Sequence, residues 1–294
     1  MMSMPKKKTP IPTIIGPFHL RKTRNTTMEY GFYYDAVFKL PFAKDDRHIR
    51  VWLPPSYDFE GKSKHPVMYM SDGQNLVDGK LSAYGDWHLD RVIHKLHEEG
   101  YEEPILVGID CPRPPRQRTN ELNPPYRVLE RIEKSMGPNH PIGDRFINYI
   151  ADELKPLIDS LFSTDPCIEA TAIGGSSMGG IMAWYAFLSR PDVFGFSLAF
   201  SPPFFFYSHK MLEKILSDWG ISPEKQRKIF LYVGGVDFEK TFVKDVKYMH
   251  NRLLELGFGE DKMGFLFDAK QPHHEEAWSI YSYNALAFWL KKSK

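Results

Sequence analysis

Three residue types, far apart in the chain, have the makings of nucleophilic catalysis: a serine in a glycine turn, a carboxylate and a histidine. The stretch Gly175-Ser176-Ser177-Met178-Gly179 reads G-x-S-x-G, the pattern that lifts a serine hydroxyl out of a sharp strand-to-helix reversal. At ordinary Gly and Ser frequencies, three such fixed positions arise by chance about once in ten chains of this length. The flanks therefore carry the argument. Before the turn stands Ala170-Thr171-Ala172-Ile173, short and apolar as a buried strand is; after it runs Ile181 to Leu188, suited to a mostly buried helix. Ser177 is the candidate nucleophile.

A serine hydroxyl needs a base, and the base needs an orienting acid. Asp237 follows the apolar run Lys228 to Val233 and the glycine pair Gly234-Gly235, with Glu239 as its nearest rival. Asp237 also reads as a helix N-cap. His273 stands in Gln271-Pro272-His273-His274-Glu275-Glu276, between the last apolar strand and the closing helix. The order Ser177, Asp237, His273 matches the serine, acid, histidine order of hydrolases built on this strand–elbow–helix plan. Charge developing on a carbonyl oxygen needs N–H donors. Met178, next after the nucleophile, supplies one backbone N–H. Gln74, in the loop Ser71-Asp72-Gly73-Gln74-Asn75, is the candidate for the second.

The elements that must position these groups alternate in type. Thr13 to Leu20 (an edge strand in an arm of residues 1–27), Tyr30 to Leu40 and Arg50 to Leu53 read as antiparallel strands. Buried strands follow at Pro66 to Met70, Pro104 to Ile109, Phe196 to Phe200, Lys228 to Val233 and Met263 to Phe267. Helical spacing falls between them, at Trp87 to His97, Arg145 to Leu161, Met211 to Trp219, Phe242 to Leu256 and Glu275 to Leu290. That rhythm predicts an α/β fold with a mostly parallel central sheet, antiparallel N-terminal strands and helices on both faces, in one domain over 1–294. Residues 111–143 break it. They carry seven prolines and little periodicity, and are expected to form a long loop acting as a lid or rim.

Bulk properties narrow the partners. The 294 residues are 42% hydrophobic and 26% charged, with a net charge of +1. No global field favours nucleic acid or an anionic membrane. No run is long enough to span a bilayer, and none of signal-peptide length follows Lys6-Lys7-Lys8, so a cytoplasmic location is expected. Cys111 and Cys167 read as reduced thiols. The chemistry calls for no cofactor and no metal, and the partner is a small-molecule ester. Nothing in the sequence sets the oligomeric state. Trp87, Phe204 and Phe205 are candidate aromatic walls of the substrate site. Arg118 is a candidate contact to an acidic substrate group.

In combination these segments resemble a known family. They are Val51-Trp52-Leu53-Pro54-Pro55-Ser56-Tyr57, Met68 to Asn75, Trp87-His88-Leu89-Asp90, Arg118 to Pro124, Glu153 to Asp159, the elbow with Ser201-Pro202 downstream, and His273-His274-Glu275-Glu276-Ala277-Trp278. The chain is similar to the putative-esterase branch of the α/β-hydrolases, which takes in enterochelin-type siderophore esterases, feruloyl and acetyl-sugar esterases, S-formylglutathione hydrolases and mycolyltransferases. The resemblance implies an α/β-hydrolase fold and a serine esterase acting on a sugar-linked, feruloyl-type or siderophore-type ester. The family histidine stands five residues before a tryptophan, which selects His273 over His274 through Trp278. The family acid follows a glycine turn, often as G-T-x-E; here Gly234-Gly235-Val236-Asp237 keeps a carboxylate as Asp. An acyltransferase using the same triad and a silent binding module on a hydrolase fold are the alternatives.

Overall fold

The computed structural model describes residues 10–21, 26–113, 115–136, 140–221 and 227–292. Of the arm expected at 1–27, residues 1–9 and 22–25 lie outside them. The rest of the arm forms a hairpin, β1 (Ile14–Ile15) and β2 (Phe18–Leu20), turned at Gly16 with φ 54°. The chain continues through β3 (Phe32–Lys39), β4 (Asp46–Leu53), β5 (Val67–Ser71), α1 (Leu89–Glu98) and β6 (Ile105–Ile109). Helices α2 (Pro115–Glu121), α3 (Glu130–Met136) and α4 (Gly143–Tyr149) follow; a π-helical turn (Ile150–Leu154) joins α4 to α5 (Lys155–Leu161). The second half alternates β7 (Thr171–Ser176), α6 (Met178–Ser189), β8 (Phe196–Phe200), α7 (His209–Trp219), β9 (Lys228–Gly234), α8 (Lys240–Glu255), β10 (Met263–Asp268) and α9 (Glu275–Trp289).

All ten strands join one sheet in the order β1-β2-β3-β4-β6-β5-β7-β8-β9-β10. The pairs from β1 to β4 and the β4–β6 pair are antiparallel; from β6 through β5 to β10 every pair is parallel. Parallel strands are covered on both faces and so read as unbroken apolar runs. Strands β5, β6, β7 and β8 are buried along their whole length.

The pleat divides the core in two. On one face Phe196, Leu198 and Phe200 of β8 pack with α1 and α9, and Phe196 stacks on Trp289 at 5.4 Å and 3°. On the other, Ile173 and Ala199 meet α6, whose residues from Met178 to Leu188 are all buried. A helix buried all round cannot show an amphipathic stripe, which is why its sequence reads as nearly uniform apolar. Truncating a core ring such as Phe196 to Ala would cost about 3–5 kcal/mol.

The segment 111–143 differs from the long loop expected, because it carries α2 and α3. Their hydrophobic pattern is weak because α2 is held by charge. Arg47 Nη1 and Nη2 of β4 donate to Glu121 Oε2 and Oε1 at 2.8 and 3.0 Å, with both side chains almost fully buried. Gln117 Nε2 donates to the same carboxylate at 2.9 Å. A fork-to-fork pair of this kind fixes orientation as well as distance. Removing one partner strands a buried charge, so Glu121→Ala should lower the unfolding free energy by about 3–5 kcal/mol. Urea denaturation measures it; an unchanged midpoint would contradict the anchoring role.

Candidate active site

The elbow is built by close backbone approach. Ser177 follows β7 with φ 54° and ψ −122° and precedes the first residue of α6. A non-glycine residue holds such a conformation only when its surroundings dictate it. Here the Ser177 N–H donates to the Phe200 carbonyl of β8 at 2.8 Å. A Cβ on Gly175 would lie 2.7 Å from the Gly179 carbonyl carbon, and one on Gly180 would lie 2.4 Å from the Phe200 carbonyl oxygen. The glycines are thus required by space rather than by φ. Ser177 is half-buried and opens on a cavity of about 540 Å³, lined also by Asp72, Gln74, Asn75, Arg118, His273 and Glu275.

His273 sits in the turn between β10 and α9. Its ring lies over Phe242 at 4.7 Å and meets Trp278 edge-on at 5.0 Å. Its Nδ1 is hydrogen-bonded to Glu239 Oε2. An ionised carboxylate only accepts, so Nδ1 carries the proton and Nε2 is left as the basic nitrogen. Glu239 has no exposed surface. Its Oε1 accepts the Gly234 N–H at 2.9 Å and the Ser201 hydroxyl.

The carboxylate hydrogen-bonded to His273 is thus Glu239, the rival, and not Asp237. Asp237 is exposed and makes no contact with His273 among the described hydrogen bonds. Residues 237–239 form a 3₁₀ turn leading into α8. Two steps along such a turn rotate a side chain by about 240°. Asp237, itself at φ 51°, is thereby aimed at solvent, and Glu239 at the sheet.

The loop after β5 is clamped from two sides. Asp72, at φ 55°, takes a bidentate pair from Arg118 of α2, with Nε to Oδ1 and Nη2 to Oδ2 both 2.7 Å. The Gln74 side chain is held by Cys111: its Oε1 accepts the Cys111 N–H at 3.1 Å and its Nε2 donates to Sγ at 3.3 Å. Burial pushes the Cys111 thiol up to about 11, which favours its protonated form. Met178 is the first residue of α6, so its N–H has no acceptor within the helix. The Gln74 and Ser177 side chains line the same cavity.

Three expected wall residues are elsewhere. Trp87 is buried and stacks on Phe200 at 5.4 Å. Phe204 is fully buried against Trp184 at 5.1 Å, and Phe205 packs edge-on against Phe242 at 4.9 Å. The 3₁₀ turn Phe204–Phe206 directs Phe204 into the core and leaves Phe205 half-buried. Arg118 does line the cavity, together with Arg113 and Pro115. Sequence reading missed Glu275 and Tyr84 as lining groups. Glu275 accepts from Asn75 Nδ2 at 3.1 Å, and burial raises its carboxyl above the usual range. Its place two residues after His273 was the available signal. Among the described residues no group of three or more His, Cys, Asp or Glu is arranged to hold a metal ion, and no helix is long and apolar enough to cross a membrane.

Known proteins resemble this chain in sequence and in fold. The uncharacterized protein YbbA of Bacillus subtilis is 23% identical over 256 residues, covering 85% of this chain and 94% of its own. The siderophore enterobactin esterase of Emericella nidulans is 30% identical over 166 residues, 53% of this chain and 52% of its own. Among solved structures, the BES protein from Bacillus cereus superposes with a TM-score of 0.67 at 19% identity over 98% of both chains. The mixed, mostly parallel sheet is that of an α/β-hydrolase. The model of the family described as "Putative esterase" matches residues 42–237, and the chain belongs to that family of ester hydrolases.

Proposed function

We propose that the chain hydrolyses a carboxylic ester in two steps through an acyl-enzyme at Ser177. His273 Nε2 takes the hydroxyl proton as Oγ attacks the ester carbonyl. Glu239 keeps the imidazole in the required tautomer and stabilises its charged form. The N–H groups of Met178 and Gln74 receive the developing oxyanion. Collapse expels the alcohol, which takes the proton back from His273; water then attacks the acyl-enzyme by the same route. The observation that carries this reading is the hydrogen bond from His273 to the fully buried Glu239, beside a serine held at φ 54° on the same cavity.

The substrate we favour is a polar, oxygen-rich ester of the sugar-linked, feruloyl or siderophore type. The cavity's volume of about 540 Å³ suits a small molecule. Its walls mix charged and amide groups (Asp72, Gln74, Asn75, Arg118, Glu275) with two aromatic ones, Tyr84 and Trp278. The likeness to the siderophore enterobactin esterase of Emericella nidulans supports the siderophore member of this set. Cys111, Pro112, Arg113, Pro115 and Arg118 act as part of the rim of the cavity within a single domain.

On a p-nitrophenyl ester, Ser177→Ala should abolish turnover and Glu239→Gln should lower kcat by about 10⁴. Asp237→Asn should leave kcat at the wild-type level. A fall in Asp237→Asn matching that of Glu239→Gln would return the acid's role to Asp237. Arg118→Ala should release the Asp72 loop and lower kcat by about 10²–10³, the scale of losing one oxyanion donor, with little change in KM. A raised KM with kcat intact would make Arg118 a substrate contact instead.

A further inference from the structure

Ser201 follows β8 directly, has no exposed surface and holds φ at 47°. Glycine adopts that conformation freely, whereas a serine is strained in it. A side chain kept at such a position is there for its hydroxyl. The backbone is pinned by the Ser201 N–H, which donates to the Tyr232 carbonyl of β9 at 2.8 Å. The hydroxyl has two polar neighbours. Trp278 Nε1 lies 3.0 Å from Oγ, and Oγ is hydrogen-bonded to Glu239 Oε1.

The direction of each bond is forced. An indole N–H can only donate, so Oγ accepts from Trp278. An ionised carboxylate can only accept, so the Ser201 proton points at Glu239. The run is therefore Trp278 to Ser201 to Glu239, with His273 donating to the other carboxylate oxygen. Trp278 also closes the ring, since its indole meets the His273 imidazole at 5.0 Å and 86°. Gly234 N–H adds a second donor to Oε1 at 2.9 Å. With Oε1 held by two donors, rotation of the carboxylate is blocked and Oε2 stays opposite Nδ1.

We propose that Ser201 is a positioning residue for the acid–histidine pair, its hydroxyl orienting the Glu239 carboxylate under the direction of the Trp278 indole. This rests on the reading that Ser177, His273 and Glu239 carry the reaction. Ser201 touches no substrate in this account; it acts through Glu239.

The test uses the full chain with Ser201→Ala and Ser201→Gly, and Ser177→Ala as control. Both Ser201 variants should lose about tenfold to hundredfold in kcat, the range found for outer hydrogen-bond partners of metal-bound histidines, with KM little changed. A fluorophosphonate should still label Ser177, but more slowly. Ser201→Gly removes the backbone strain, so its thermal midpoint should equal or exceed that of Ser201→Ala while its kcat falls alike. Wild-type kcat in either variant, a change confined to KM, or a glycine variant restored to wild-type turnover overturns the role of Ser201 alone. Turnover surviving in Ser177→Ala overturns the serine mechanism, and the role of Ser201 with it.

Discussion

Glu239 is a carboxylate with no solvent to receive its charge, and the site is arranged around that fact. Leaving such a group unpaired in the interior costs several kcal/mol. Its partners come from separate parts of the fold: Gly234 from the end of β9, Ser201 from the residue after β8, and His273 from the turn after β10. The parallel register β8–β9–β10 brings the carboxyl ends of these strands to one edge. Satisfying the carboxylate and assembling the site are therefore one act of folding. The histidine gains a fixed tautomer from the same bond that gives the buried carboxylate one of its donors.

The other side of the cavity is organised by steric and ionic constraints. Ser177 is held at the cavity because Gly175, Gly179 and Gly180 let β7, β8 and α6 approach without side chains between them. The loop from Asp72 to Asn75 is held down by Arg118, and α2, which bears Arg118, is tied to β4 through Glu121 and Arg47. Two ion pairs in series thus connect the antiparallel half of the sheet to the loop carrying Gln74. Glu275 and Asn75 bridge that loop to the histidine turn. The serine and the proposed base and oxyanion donors are referenced to one another through hydrogen bonds and ion pairs.

Much of this was legible before the coordinates. Central strands announce themselves as apolar runs, and Ser177 and His273 are marked as candidates by residue type, turn context and chain order. Other features left no such trace. Asp237 and Glu239 both follow the glycine turn, and a one-dimensional reading cannot see that a 3₁₀ turn sends one outward and the other in. Phe204 and Phe205 follow a strand beside the elbow, yet the next turn buries Phe204 against α6 and packs the half-buried Phe205 against α8. Helix α2 escaped notice because it is held by charges 74 residues apart in sequence, not by an apolar stripe. Ser201 stood in a recognised segment, but its meaning depends on Trp278 and Glu239, which only the fold brings together.

The central claim is a covalent acyl group on Ser177 during turnover. Acid-quenching the protein in the steady state with a slowly hydrolysed ester, then locating the added mass by peptide mass spectrometry, tests it most directly. The account predicts the acyl mass on the peptide containing Ser177 and nowhere else, vanishing as substrate is exhausted. Rapid turnover with no adduct on that peptide, or an adduct on another residue that forms and decays at the turnover rate, would contradict it.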